Sequence, residues 1–145
     1  MFMYNKTLQY PVKIEHPNPR RASIIISQYG GPDGELGASL RYLSQRYAMP
    51  FDEQKALLTD IGTEELGHLE MIGAIVHQLT RNLKEKDIEN TPLEAYFVDR
   101  TLGVYPTAAS GFPWSAASMA VKGDPFADLT EDLAADATTT KEQPT

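Results

Sequence analysis

The chain has 145 residues, 41% of them hydrophobic and 23% charged, which is the composition of an ordinary globular domain with its own core. Its formal net charge of −7 argues against a nucleic-acid partner, because phosphates require a basic surface. The absence of cysteine excludes disulfides and thiolate metal ligands. No apolar stretch suits a membrane span or a secretory signal, so we expect an intracellular domain.

The N-terminal region predicts an extended arm over residues 1–18, since prolines at 11 and 17 punctuate it. A short helix is predicted next, over PRRASIIISQYGG, because Pro19 suits a first turn and the Gly30-Gly31 pair suits a C-terminal end. A second helix is predicted within GPDGELGASLRYLSQRYAM, where Asp33 is available as an N-cap and apolar residues recur at helical spacing.

The segment from about Asp52 to Asn82 predicts one long helix. It contains no proline, its apolar residues recur at steps of three and four apart from a break at 62–68, and Asp52 and Glu53 favour its start through the helix dipole. A helix of this length is typical of helix bundles.

The region 83–123 predicts a long ordered excursion without another helix, because prolines, glycines and aromatic residues alternate there. The segment DPFADLTEDLAAD then predicts the start of a further helix, with Asp124 as its N-cap and Pro125 at its first position. Residues 137–145 lose the apolar period and form a polar tail.

One polar pair interrupts an apolar stripe of the long helix. Residues three, four and seven apart share a helix face, so Glu65 and His68 lie in one row with Ile61 and Ile72. A carboxylate placed in such a row requires a cation or dense hydrogen bonding. Glu35, at the start of the second helix, adds a third ligand to a set of oxygen and nitrogen donors that suits manganese or iron.

The alternative interpretation is that these residues are polar groups on a hydrated helix face, because an E-x-x-H pair arises by chance in many helices. We expect His16 and His77 to be surface or structural residues, and Tyr42 and Trp114 to be packing residues. Bundles with two metal ions use a Glu from each of two helices and an E-x-x-H from each of the other two. Only half of that set is plainly present.

Four segments of this chain resemble the manganese catalase family, and most closely its short spore-coat branch, the CotJC-type proteins of endospore-forming bacteria. They are LQYPVK, QYGGPDGELGASLRYLSQRY, LLTDIGTEELGHLEMIGAIVHQLT and GDPFADLTEDLAA. The resemblance extends from about residue 4 to residue 136. It implies an all-α, ferritin-like four-helix bundle that holds two manganese ions, with iron as a possible substitute, and that disproportionates hydrogen peroxide to water and dioxygen.

The resemblance also implies roles for individual residues. Glu35 matches the first family ligand, Glu65 the bridging carboxylate, and His68 the terminal imidazole of one manganese ion. Glu64, next to a ligand, is expected to face solvent. Asp136 stands where the family has a Glu ligand, and its carboxylate is one methylene shorter, so it is a doubtful fourth metal ligand.

After Asp136 the match ends. No histidine follows His77, so the second E-x-x-H and the last bundle helix of the family are missing from this sequence. The pattern resembles a C-terminally truncated protein. We therefore expect a domain over residues 1–136 whose metal site is incomplete and whose catalase activity alone is weak or absent.

Two alternatives to a catalase remain at this point. The chain could be a non-catalytic structural subunit of the spore coat, with exposed apolar faces that dock on partners. It could also form a homodimer in which two sets of Glu35, Glu65 and His68 build a symmetric di-metal site. The expected partners are hydrogen peroxide, further copies of the chain and other coat proteins. The expected location is the mother-cell cytoplasm or the spore coat.

Overall fold

The computed structural model describes residue 5 and residues 7–90, 93–94 and 103–139, except for the side chains of 136, 138 and 139. The described residues form four α-helices: α1 (Pro19–Gly30), α2 (Glu35–Gln45), α3 (Asp52–Thr80) and α4 (Pro125–Thr139). In this part of the chain, extended pairing is limited to one antiparallel bridge between Thr107 and Pro113. The predicted all-α class is confirmed.

Two of the helices begin at side-chain caps that their sequences supply locally. Asn18 Oδ1 accepts a hydrogen bond from the Arg21 backbone N–H at 3.1 Å, before Pro19 opens α1. Asp124 Oδ1 likewise accepts from the Phe126 N–H at 2.9 Å, so the predicted cap of α4 is confirmed. The helix continues to Thr139, three residues beyond the predicted boundary at 136.

The predicted N-cap of α2 is wrong. Gly34 occupies the cap position and no side chain caps this helix. Asp33 instead turns toward Arg41, whose Nη1 lies 3.5 Å from its Oδ1. Arg41 is buried, and a buried guanidinium requires a carboxylate partner.

Helices α2 and α3 approach each other closely beside the middle of α3. The Ser39 hydroxyl donates to the Gly62 carbonyl at 2.6 Å, and a Cβ added at Gly62 would lie 2.8 Å from Leu43 Cγ. A buried cluster flanks this contact, made of Ala38, Tyr42, Met49 and Leu58 with the half-buried Ile61 and Leu129. The contact fixes the first turn of α2 relative to the middle of α3.

A second cluster joins α1 to the C-terminal third of α3. Ile26 and Val76 are almost fully buried at its centre. Ile88 and Leu93 from the following excursion cover it, and Ile72 packs at its edge. Burying one such aliphatic side chain contributes about 1.5–3 kcal/mol.

Helix α4 docks on α2 through buried polar groups as well as through Leu129. Asp132 Oδ1 accepts a hydrogen bond from Gln45 Nε2 at 3.0 Å and lies 3.2 Å from Arg41 Nε. Gln45 Nε2 also donates to the Ala120 carbonyl at 2.9 Å. This contact joins residues that are distant along the chain, and no local pattern in the sequence predicts it.

The N-terminal arm lies along α3. The Gln78 side chain accepts from the Ile14 N–H at 2.7 Å and donates to the Val12 carbonyl at 2.9 Å. Nearer the middle of α3, Gln9 Nε2 lies 3.4 Å from Glu64 Oε1. The described residues of the arm contain no helix.

The described part of the excursion is mainly loop, with single 3₁₀ turns at Glu85–Asp87 and Ala116–Ser118. It packs against the end of α1 so closely that a Cβ at Gly30 would clash with the Pro106 carbonyl carbon. None of the described helices has both the length and the apolar character that crossing a bilayer would need.

Candidate metal centre

Three side chains predicted as ligands lie together in the structure. Glu35 is the first residue of α2, and Glu65 and His68 occupy successive turns in the middle of α3. Each offers one ligand atom, and these atoms all lie within 4.8 Å of one another. Among the described residues, this is the only group of three or more His, Asp and Glu side chains that could hold a metal ion.

The distances identify the imidazole nitrogen that faces the carboxylates. His68 Nδ1 lies 2.8 Å from Glu65 Oε2 and 3.8 Å from Glu35 Oε2. Adjacent ligands on one ion with bonds of ~2.1 Å are separated by roughly 3 Å, so small side-chain rotations would bring the three atoms onto one cation. His68 would therefore bind through Nδ1.

The electrostatics of the group favour a cation. The pKa of Glu35 is raised from 4.5 to about 8, chiefly by burial and then by its hydrogen bond to the Glu65 carboxyl and by the charge of Glu65. A half-buried carboxyl pair thus holds a proton that a divalent ion would displace. The oxygen and imidazole donors fit manganese or iron better than soft metals.

The site is partly open to solvent. The side chain of Glu65 is 16% exposed, that of Glu35 19% and that of His68 34%. The imidazole is thus the most exposed of the three side chains. The remaining predicted ligand, Asp136, belongs to α4 by its backbone, but its side chain lies outside the described residues.

The other histidines are placed as predicted. His16 in the arm and His77 near the end of α3 are both exposed, and neither belongs to the ligand group. Tyr42 is buried in the cluster between α2 and α3, which confirms the prediction that it packs. Trp114 is half-buried in the excursion.

One polar residue of the site was not recognised in the sequence. Glu64 is 57% exposed, in keeping with the predicted solvent-facing position, yet its Oε1 lies 4.0 Å from His68 Nε2. The signal was available, since residues four apart share a helix face and Glu64 is four residues before His68.

Comparison with known sequences gives a consistent set of relatives. The model of the family described as manganese containing catalase matches residues 1–143. Protein CotJC of Bacillus subtilis (strain 168) is 48% identical over 136 residues, which cover 94% of this chain and 71% of that protein. A probable manganese catalase of Clostridium acetobutylicum is 34% identical over 138 residues, covering 94% of this chain and 61% of that protein.

Solved structures give the same result. The crystal structure of KatB, a manganese catalase from Anabaena, superposes with a TM-score of 0.81 at 31% sequence identity. The superposition covers 98% of this chain and 64% of the KatB chain. The chain thus spans between about three fifths and seven tenths of the length of these relatives.

Proposed function

The chain belongs to the manganese-containing catalase family and has its ferritin-like helical fold, and on this basis we propose that Glu35, Glu65 and His68 bind manganese. The observation that supports the proposal most directly is the meeting of these three side chains within 4.8 Å from two helices. We propose a catalase-like spore-coat protein, located in the mother-cell cytoplasm or the coat, with hydrogen peroxide as its substrate.

Each residue of the group has a separate part. Glu65 and His68 share a face of α3, so the helix itself sets their spacing. Glu35 is brought to them by the close packing of α2 against α3 at Ser39 and Gly62. Manganese that alternates between its divalent and trivalent states supplies the redox chemistry by which two peroxide molecules become two water molecules and one dioxygen.

We propose that the activity of this chain alone is weak. The described ligands comprise two carboxylates and one imidazole, whereas a dinuclear site in such a bundle takes two E-x-x-H pairs and two further Glu residues. The sequence contains one E-x-x-H, at Glu65 and His68. Asp136 remains a proposed fourth donor.

The test is the manganese content of the purified chain, measured by elemental analysis after loading and desalting. We expect bound manganese in the unaltered chain and none in Glu65→Ala/His68→Ala. His77→Ala is the matched control, because His77 is exposed on the same helix, and it should retain the metal. Equal metal content in all three proteins would overturn the proposal.

Oxygen release on adding peroxide measures the second half of the proposal. We expect a rate well below that of a complete manganese catalase at equal manganese concentration, and its loss in the double variant. A rate equal to that of the complete enzyme would show that another residue, such as Asp136, completes the site.

A second candidate, a structural coat subunit, is favoured by one observation. Phe126 and Leu133 lie seven residues apart on one face of α4 and are 84% and 73% exposed. Large apolar side chains on one helix face are typical of surfaces that bind partners. Metal-free protein that still assembles, and that dissociates in Phe126→Ser/Leu133→Ser, would favour this candidate over the first.

The homodimer with a symmetric di-metal site would be favoured by a different result. It requires one metal per chain and loss of the dimer together with the metal in Glu65→Ala, measured by sedimentation.

A further inference from the structure

A fourth residue faces the imidazole from the side opposite to the ligand group. His68 directs Nδ1 toward Glu35 and Glu65, and its other nitrogen, Nε2, lies 4.0 Å from Glu64 Oε1. The imidazole therefore sits between the proposed metal position and a carboxylate. A neutral histidine that binds a metal through Nδ1 must carry its proton on Nε2, where it becomes a hydrogen-bond donor.

Glu64 is itself held by the N-terminal arm. Gln9 Nε2 lies 3.4 Å from the same oxygen, Glu64 Oε1, that is nearest to the imidazole. Gly67 leaves room for the Gln9 side chain, because a Cβ at that position would lie 3.1 Å from Gln9 Oε1, a tight contact. Glycine in the middle of a helix is unfavourable, and the close approach of the arm is a structural reason for glycine at this position.

We propose that Glu64 is a positioning residue that accepts the Nε2–H of His68, and that Gln9 orients Glu64 from the arm. The inference rests on the proposed metal site. The present separation is roughly 1 Å longer than a hydrogen bond, a gap that rotation of the partly exposed side chains closes. The contact fixes the tautomer and the ring orientation of His68 and makes Nδ1 a stronger metal ligand.

The first test is the affinity for manganese(II), measured by titration calorimetry. We expect Glu64→Ala to bind about tenfold more weakly than the unaltered chain, at the lower end of the range for such partners because Glu64 is exposed. Glu64→Gln keeps an acceptor oxygen at the same reach and should restore most of the loss. Equal weakening in both variants would mean that only the charge matters, and would overturn the positioning role.

A matched variant controls for charge. Glu53→Gln removes one negative charge from the first turn of the same helix, far from the ligand group, and should leave the affinity unchanged. A loss in this control as large as that in Glu64→Ala would also overturn the proposal.

The second test reads the histidine directly. In the chain loaded with diamagnetic zinc(II) and labelled with ¹⁵N-histidine, the signals of His68 should show Nδ1 bound to metal and Nε2 carrying a proton. That proton should exchange with water more slowly in the unaltered chain than in Glu64→Ala. Metal bound at Nε2, or equal exchange in both proteins, would overturn the proposal. A purely structural role for Glu64 would leave these signals unaffected.

The part assigned to the arm is tested at Gln9 and Gly67. Gln9→Ala should weaken manganese binding by about threefold, since it removes a contact one step further from the metal. Gly67→Ala should displace the Gln9 amide and weaken binding by a similar factor while it raises the melting temperature, because alanine favours a helix. Unchanged affinity in both variants would remove the arm from the proposal.

Failure of this inference can be told apart from failure of the proposed metal site. An unaltered chain that binds no manganese overturns both. An unaltered chain that binds manganese, with the same affinity in Glu64→Ala, overturns the positioning role alone.

Discussion

Two parts of α3 differ in the interactions that they make with neighbouring helices. The C-terminal third packs its apolar side chains against α1, and Val76 and Leu79 are only 2% and 5% exposed. The middle presents Glu65 and His68, 16% and 34% exposed, toward Glu35. One helix thus contains both a buried apolar contact and a partly exposed cluster of polar groups.

The difference shows how one continuous helix separates stability from function. Buried apolar side chains are stable without a ligand. Two carboxyl groups that face each other at partial burial, in contrast, are stabilised by a proton or by a cation. The C-terminal third should therefore respond to core mutations, and the middle should respond to pH and metal. The predictions below test that division.

The largest effect is expected from the apolar third. Ile26→Ala removes a side chain that is fully buried between α1 and α3, and should lower the free energy of unfolding by about 2–5 kcal/mol. Chemical denaturation monitored by circular dichroism measures this loss. The manganese affinity of the folded protein should not change.

Ile24→Ala is the matched control, because Ile24 is on the same helix and is 63% exposed. Its effect should stay within about 0.5 kcal/mol, as is usual for surface positions. A large effect at Ile24, or a loss of metal affinity at Ile26, would contradict the division of α3 into two independent parts.

Local signals explain which parts of the fold were predictable. The Asp124-Pro125 pair marks the start of α4, and the pair Glu65 and His68 follows from helical spacing alone. Glu35 was added to the ligand set as the carboxylate that opens the neighbouring helix, and the family resemblance then matched it to a ligand position, since no local pattern connects it to α3. Each of these predictions rested on residues that are close along the chain or on the resemblance to a known family.

The errors and omissions have a common cause, which is contact between residues that are not neighbours along the chain. Asp33 was predicted as a cap because caps are local, but it faces Arg41. The docking of α4 through Asp132 and Gln45 joins residues 87 apart in sequence, and no pattern in either segment indicates it. The contact between Gln9 and Glu64 was unpredictable for the same reason.

The next effect is the response of the middle of α3 to metal. Free manganese(II) at 100 times its dissociation constant should stabilise the folded chain by about 2.7 kcal/mol, because the ion binds the folded state. Thermal denaturation with and without the metal measures this. Glu65→Ala should lose the response and His77→Ala should keep it; a response retained in Glu65→Ala would mean that the ion binds elsewhere.

A pH dependence is expected from Glu35 in the metal-free chain. Its pKa is raised from 4.5 to about 8 in the folded state, chiefly by burial, so the folded protein binds this proton more tightly than the unfolded one. Stability contributed by the proton is therefore complete below pH 4.5 and is lost as the pH rises toward 8. Melting temperatures across this range measure the loss.

Glu35→Gln isolates this contribution, because the amide resembles a protonated carboxyl and does not titrate. The difference in melting temperature between Glu35→Gln and the unaltered chain should grow in favour of the variant as the pH rises. Manganese should remove the difference by stabilising the unaltered chain only. A difference that is independent of pH would place the titration on another group.

The smallest effect concerns the arm, which spans both parts of α3. Gln78→Ala removes the two hydrogen bonds to Ile14 and Val12, each worth about 0.5–1.5 kcal/mol, from a segment that can open without global unfolding. The Ile14 amide should exchange with solvent about tenfold faster, as measured by hydrogen–deuterium exchange. Gln78→Glu retains the acceptor for the Ile14 N–H and should show a smaller increase. Equal exchange in all three proteins would mean that other contacts hold the arm, and that the C-terminal third of α3 contributes nothing to its placement beside Glu64.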